Sequence, residues 1–246
     1  MSWFTKYNLP ENRNWLGAIY LKPLFNAFLG LLVSIVIFKV MIPESADLST
    51  STMLLISLLP IHVIAIGIFL YKLFPAVLQL GANVVLQWKT EEKKQWRNLC
   101  WSFLKIIMAT IAINFLTTLV SAFFGIKMEE QDIVGRLLNS DDICFIIMTS
   151  FFAVFLAPIT EELLFRLGVY NALTFYVPHL AATVITSLLF AAAHGQISTI
   201  PGLFVIGLFL QSAKKRYGLR QSMLLHAIYN AFQLAMLLMV HVFTSS

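Results

Sequence analysis

Most of this chain consists of apolar runs that are separated by short charged segments. A helix needs about 20 apolar residues to cross the hydrocarbon core of a bilayer, and a helix satisfies its own backbone hydrogen bonds there. The pattern therefore predicts an all-α, polytopic membrane protein with about seven or eight transmembrane helices in one bundle. The runs lie at about 16–42, 53–86, 103–126, 143–157, 179–194, 200–213 and 223–244.

The composition argues against a soluble or disordered chain. Hydrophobic residues make up 59% of the 246 residues, charged residues make up 12%, and the mean hydropathy is +0.82. Soluble domains carry about 25% charged residues. The net charge of +5 does not indicate nucleic-acid binding, because the basic residues lie between apolar runs and not on one face of a soluble domain.

The basic residues predict how the chain is oriented in the membrane. If the N-terminus is cytoplasmic and the spans alternate, Lys127 and Arg136 are the only basic residues in the outside loops. The inside loops then hold the remaining loop lysines and arginines, as the positive-inside rule requires. One alternative stays open, because residues 158–178 are apolar enough to form an additional span. Such a span would reverse the orientation of everything that follows it.

Ionisable side chains at membrane depth are costly, so they are candidates for function. The first group, Glu161, Glu162 and Arg166, follows Pro158. Adjacent residues on a helix point about 100° apart, so the two glutamates have different neighbours. Glu162 and Arg166 have the i,i+4 spacing of an ion pair, which leaves Glu161 free to act as a general base. The alternative is a solvated ion pair at the membrane surface.

Two further polar groups lie in the last apolar runs. Phe190 and His194 are at the end of the 179–194 run, and His226 and Asn230 are in the final run. His226 and Asn230 are one turn apart and share a helix face. From the residues alone, an interfacial histidine and a hydrogen bond between helices remain open as structural explanations.

The order and type of these motifs resemble one family. Glu-Glu-x-x-x-Arg, Phe-x-x-x-His and His-x-x-x-Asn on successive helices resemble the CPBP family, the CAAX-protease-and-bacteriocin-processing or Abi family. This family includes the type II CAAX prenyl endopeptidases. The resemblance covers about 143–244, and all three motifs are intact. It divides the chain into N-terminal spans without a recognised motif, 1–142, and a catalytic membrane core, 143–246.

The resemblance implies an intramembrane endopeptidase. By position, Glu161 would be the general base that activates water, and His194 would bind and orient that water. His226 and Asn230 would stabilise the oxyanion formed when the peptide carbonyl is attacked. Three supporting residues would hold the site in place: Glu162, Arg166 and Phe190.

The need for a metal stays open at this point. Glu161, His194 and His226 could form a catalytic zinc site with one open position. Asn230 is a poorer zinc ligand and suits an oxyanion hole better. The HExxH motif of ordinary zinc proteases is absent from the sequence. We expect water activation by glutamate without an obligate metal.

The resemblance also implies the partners. The substrate would be a small membrane-bound peptide or a lipidated protein that arrives through the bilayer, and no nucleic acid is expected. Peptide pheromone or bacteriocin maturation, self-immunity and CAAX-type processing all fit. The short chain favours a bacterial plasma membrane. The distribution of basic residues predicts a cytoplasmic N-terminus.

Two other functions would also place polar groups at membrane depth. The first is a non-catalytic immunity or scaffold protein that binds a sensor or transporter. The intact motifs argue against it, because polar groups at membrane depth are costly to keep. The second is a proton-coupled transporter, which predicts a repeat between the two halves of the chain. We find no such repeat in the sequence.

Overall fold

The computed structural model describes residues 20, 23–27, 63, 66–75, 95–126, 134, 135, 137, 140 and 142–245. Within these residues all regular structure is helical, which confirms the all-α prediction. Most of the first two predicted spans lie outside the described residues. The helices are α1 (Ile66–Pro75), α2 (Gln95–Phe123), α3 (Ile143–Leu173), α4 (His179–Ala192), α5 (Ile200–Tyr217) and α6 (Leu219–Ser245).

Four of these helices are long and apolar enough to cross a membrane. Their outer faces carry exposed apolar side chains such as Phe115 and Phe151, which suits contact with lipid. The architecture is therefore that of a membrane-embedded bundle. The described part of the chain does not yield the predicted seven or eight spans. The four candidate spans are Trp96–Phe123, Ile143–Leu173, Ile197–Tyr217 and Leu219–Val240.

The helix α3 is longer than the sequence pattern predicts. The apolar run indicates a span that ends near Ala157, but the helix continues to Leu173. Pro158 lacks an N–H and would normally disrupt an α-helix. Here the preceding turn, Phe152–Leu156, widens into a π-helix that accommodates the proline. Residues 158–173 thus continue α3, and the additional span that the sequence left open does not form.

The helix α4 is too short to cross a bilayer. Its 14 residues extend about 21 Å, which is less than the roughly 30 Å of the hydrocarbon core. The chain then turns at Gly195, whose φ of +75° a glycine adopts without strain. A helix of this length does not cross the whole hydrocarbon core. The residues that follow it can therefore approach the middle of α3.

One hydrophobic cluster joins α2 to the C-terminal helices. Leu99 and Ile106 of α2 are buried together with Phe190 of α4, Leu210 of α5 and Leu225 of α6. The helix α2 precedes the predicted catalytic core in sequence, yet it packs into the same cluster. The surroundings of the candidate site therefore extend beyond the three motifs.

The helices α4 and α5 pack closely at Gly207. A Cβ at this position would lie 2.9 Å from the Cβ of Ser187 and 3.1 Å from its Cα. We expect Gly207→Ala to lower the free energy of unfolding by about 1–3 kcal/mol, because overpacking forces the two helices apart. Thermal unfolding in detergent measures this effect. Gly67→Ala is the matched control, since a Cβ there meets no described atom within 4 Å. An equal loss of stability in both variants would contradict the close approach.

Candidate active site

Glu162 is the central buried charge of the site. Its side chain is fully buried, and Ser222 Oγ donates to its Oε2 at 2.5 Å. Its Oε1 lies 3.2 Å from His226 Nδ1 and 3.5 Å from Arg166 Nε. Because an ionised carboxylate only accepts, His226 Nδ1 carries the proton of this contact. A buried charge needs such partners, and these partners tie α3 to α6.

Arg166 is buried beside Glu162 and packs on an aromatic ring. The two residues have the ion-pair contact that their i,i+4 spacing predicts. The guanidinium carbon also lies 4.4 Å from the centre of the Phe190 ring, within the range of a cation–π interaction. Phe190 makes edge contacts with His194 and His226, with ring centres 5.0 and 5.8 Å apart. It therefore packs against both histidine rings.

The two adjacent glutamates have different environments. Glu161 ends the α-helical segment Ala157–Glu161, and Glu162 begins the π-helical segment Glu162–Val169. The side chain of Glu161 is 20% exposed. Its Oε2 lies 3.7 Å from His226 Nε2 and accepts no hydrogen bond from the described residues. Glu161 thus keeps an uncommitted acceptor, whereas both oxygens of Glu162 are engaged.

A cavity of about 800 Å³ lies beside Glu161. His194 and Asn230 also line it, so the structure brings three of the predicted catalytic residues to one space. His226, with 3% of its side chain exposed, is enclosed between the two glutamates. His226 itself does not line the cavity.

His194 follows the end of α4 and has a defined arrangement of its ring nitrogens. Its Nδ1 lies 2.9 Å from the backbone oxygen of Phe190, one turn earlier. A carbonyl oxygen only accepts, so Nδ1 donates in this contact. In the neutral ring, Nε2 then carries the lone pair. His194 therefore brings an acceptor nitrogen to the cavity.

Asn230 pairs with a backbone carbonyl that Pro158 leaves without a donor. In the widened turn of α3, the N–H of Ala157 donates to the oxygen of Phe152. In the same π-helical pattern, the oxygen of Ala153 would accept from the N–H of residue 158. That residue is Pro158, which has no N–H. Asn230 Nδ2 donates to the oxygen of Ala153 at 2.8 Å. The amide has a second N–H, which remains for another acceptor.

The motifs did not reveal every polar residue of the site. Ser222, which donates to Glu162, lies four residues before His226 on the same helix face. Its helical spacing from His226 is a signal that could have identified it. Asn114 and Thr117 of α2 also line the cavity. No spacing in the sequence connects them to the motifs, because helix packing alone brings them there.

The three residues that could ligate zinc do not form a ligand set in this arrangement. Among the residues that the structure describes, no three His, Cys, Asp or Glu side chains lie close enough to hold a metal ion. His226 has Nδ1 near Glu162 and Nε2 near Glu161, so both of its nitrogens already face carboxylates. The combination of Glu161, His194 and His226 therefore does not fit a zinc ion here.

Comparison with models of known protein families matches one segment of the chain. Residues 143–232 match the family model described as Rce1-like, type II CAAX prenyl endopeptidase Rce1-like. The matched segment runs from the first residue of α3 to just beyond Asn230, and it contains every residue of the three motifs. Searches of the curated proteins and of the solved structures gave no match.

Proposed function

We propose, from the match of residues 143–232 to the Rce1-like family model of type II CAAX prenyl endopeptidases, that this integral membrane protein is an intramembrane endopeptidase. It cleaves a membrane-associated peptide or protein. The observation that carries the proposal is the partly exposed carboxylate of Glu161, whose Oε2 accepts no hydrogen bond from the described residues, at a cavity shared with His194 and Asn230. A structural carboxylate at membrane depth would instead have all its acceptors engaged, as Glu162 does.

Glu161 and His194 together provide acceptors for one water molecule. Glu161 offers a carboxylate oxygen from its partly exposed side chain, and His194 offers the Nε2 lone pair. A water that donates one hydrogen to each keeps its oxygen lone pairs for attack. Glu161 takes a proton as the water oxygen bonds to the scissile carbonyl carbon. When the C–N bond breaks, Glu161 returns this proton to the leaving nitrogen, and an acid and an amine are released.

Asn230 is the residue best suited to stabilise the oxyanion. Its amide is anchored by one N–H on Ala153, and its second N–H is available to the negative oxygen. A donor that is fixed before the reaction stabilises the developing charge without reorganisation. The π-helical turn at Pro158 thereby contributes to the site, because it supplies the carbonyl that anchors Asn230.

His226 has a second role besides the oxyanion contact that the resemblance implies. Its nitrogens face Glu162 and Glu161 at 3.2 and 3.7 Å, so we assign it as a positioning residue for the general base. An oxyanion contact requires an Nε2–H directed at the substrate, and this role stays a prediction. Loss of His226 should also destabilise the protein, because Glu162 would lose a partner.

The family match and the surroundings of the site support a proposed substrate class. The cavity lies within helices that are apolar enough to span a membrane, so we propose that the substrate enters from the bilayer. Prenylated proteins with a CAAX end and small membrane-bound peptides both fit. We further propose a bacterial plasma membrane with a cytoplasmic N-terminus. A non-catalytic immunity or scaffold protein is not favoured, because the motif residues are all present.

Cleavage of a defined peptide tests the proposed function. The purified chain in liposomes is incubated with a fluorogenic peptide that ends in a farnesylated CAAX tetrapeptide, and with the same peptide lacking the farnesyl group. We expect loss of the last three residues from the farnesylated peptide, identified by mass spectrometry. No product from either peptide would contradict CAAX-type processing.

Replacing Asn230 tests the oxyanion assignment. We expect Asn230→Ala to lower kcat about 100-fold with little change in KM, because the contact forms in the transition state. Thermal unfolding is measured alongside, since Ala153 also loses its donor. Gln233→Ala is the control, as Gln233 lines the same cavity one turn later. If Asn230→Ala raises KM and leaves kcat unchanged, Asn230 binds substrate and does not stabilise the oxyanion.

A further inference from the structure

The helix α2 lies outside the segment that matches the family, yet it supplies polar residues to the cavity. Asn114, Thr117 and Thr118 line the cavity together with Glu161. The neighbouring residues of α2 are apolar, and Phe115 is 64% exposed. A polar side chain within a membrane-spanning helix is costly, and such residues usually mark a substrate pathway. Among the described residues Asn114 is exposed, so the polar face of α2 is open to the cavity.

Asn114 is the residue of this face that keeps both a donor and an acceptor. Thr117 and Thr118 donate their hydroxyl hydrogens to carbonyl oxygens one turn earlier, at 2.8 and 3.0 Å. The amide of Gln233, also in the cavity, donates to the hydroxyl of Tyr229 at 3.0 Å. Within the described part of the chain, the side-chain amide of Asn114 makes no hydrogen bond. An amide offers one acceptor oxygen and two N–H donors.

Gly202 in the first turn of α5 makes room for this amide. A Cβ on Gly202 would lie 2.6 Å from Asn114 Oδ1, a distance that a real Cβ could not keep. The amide of Asn114 therefore packs against the bare backbone of α5. This contact holds the amide at the edge of the cavity that Gly202 also lines.

We propose that Asn114 binds the peptide backbone of the substrate, accepting from one N–H and donating to one C=O. An extended peptide presents both groups along its edge, and main-chain pairing of this kind binds peptides whatever their side chains. The proposal rests on the proposed function and deepens it. It assigns an extended peptide as the group held in the cavity, and it makes α2 part of the active site.

Peptide binding to the Glu161→Gln variant tests this contact without turnover. The probe is the farnesylated CAAX peptide, and its Kd in nanodiscs is measured by fluorescence anisotropy. We expect Asn114→Leu to raise the Kd about tenfold, since two hydrogen bonds are lost. Gly202→Ala should raise the Kd similarly, because the new methyl group would displace the side-chain amide of Asn114 without altering its chemistry. Phe115→Leu is the control on the same helix, and its Kd should not change.

A series of probe peptides separates a direct contact from a structural effect. Each peptide has one backbone amide replaced by an ester, which removes one N–H donor. With Asn114 present, one ester position should weaken binding about threefold, and this penalty should disappear in Asn114→Leu. The proposal is overturned if no position shows a penalty, or if the penalty is the same with and without Asn114.

This experiment and the test of the proposed function can fail independently. Cleavage by the chain with Glu161 intact measures the endopeptidase activity. The ester series measures only the contact with Asn114. An ester penalty that depends on Asn114, found in a chain that does not cleave the probe, supports the contact and overturns the proposed activity. Cleavage without such a penalty supports the proposed activity and overturns the contact with Asn114.

Discussion

Glu161→Gln is expected to lower kcat about 10³-fold while the protein stays folded. The glutamine keeps the size of the side chain but cannot accept the proton of the attacking water. The fold should tolerate this change, because Oε2 of Glu161 accepts no hydrogen bond from the described residues. The rate is measured with the farnesylated CAAX peptide, and folding by thermal unfolding in detergent. A variant that cleaves at nearly the wild-type rate would show that Glu161 is not the base.

The neighbouring glutamate provides the matched control for this prediction. Glu162→Gln makes the same chemical change one residue later, but at a fully buried side chain with contacts to Ser222, His226 and Arg166. We expect a clear loss of thermal stability in this variant, because Arg166 would be left as an uncompensated buried charge. Equal stability losses in Glu161→Gln and Glu162→Gln would contradict the division of roles between the two glutamates.

The second large effect is expected for Arg166→Met. The change leaves Glu162 buried without its cation, and the free energy of unfolding should fall by about 3 kcal/mol. Thermal unfolding in nanodiscs measures this loss. Arg97→Met is the control, because Arg97 is exposed on α2. An unchanged melting temperature in Arg166→Met would contradict the buried ion pair.

A double variant separates the loss of the pair from the loss of side-chain packing. Glu162→Gln combined with Arg166→Met removes both charges, so no isolated charge remains buried. We expect the double variant to be more stable than Arg166→Met alone, as happens when a whole buried pair is replaced. If the two losses simply add, the effect of Arg166 comes from its packing on Phe190 and not from its charge.

The sequence predicts the helices of the C-terminal half well, because an apolar run in a membrane protein has few alternatives to a helix. It predicts the contact between Glu162 and Arg166 for a similar reason, since helical spacing fixes their separation. The end of α3 is not predicted correctly. Pro158 normally marks a helix boundary, and the sequence does not reveal that a π-helical turn accommodates it.

The contacts between helices depend on packing, which sequence patterns do not report. The motifs identify Glu161, His194 and Asn230 as candidates, and the short helix α4 allows all three to meet at one cavity. The enclosure of His226 between two carboxylates requires the relative rotation of α3 and α6. The approach of Asn114 to Gly202 requires the packing of α2 on α5. Neither contact has a signature in the spacing of the chain.

Comparative mass spectrometry of small membrane-associated peptides tests the central claim most directly. Cells carrying the wild-type chain, the Glu161→Gln variant or a deletion of the protein are compared. We expect a processed peptide with the wild-type chain alone, and accumulation of its precursor in the other two. If Glu161→Gln processes the same peptide as wild type and only the deletion loses it, catalysis by Glu161 is contradicted.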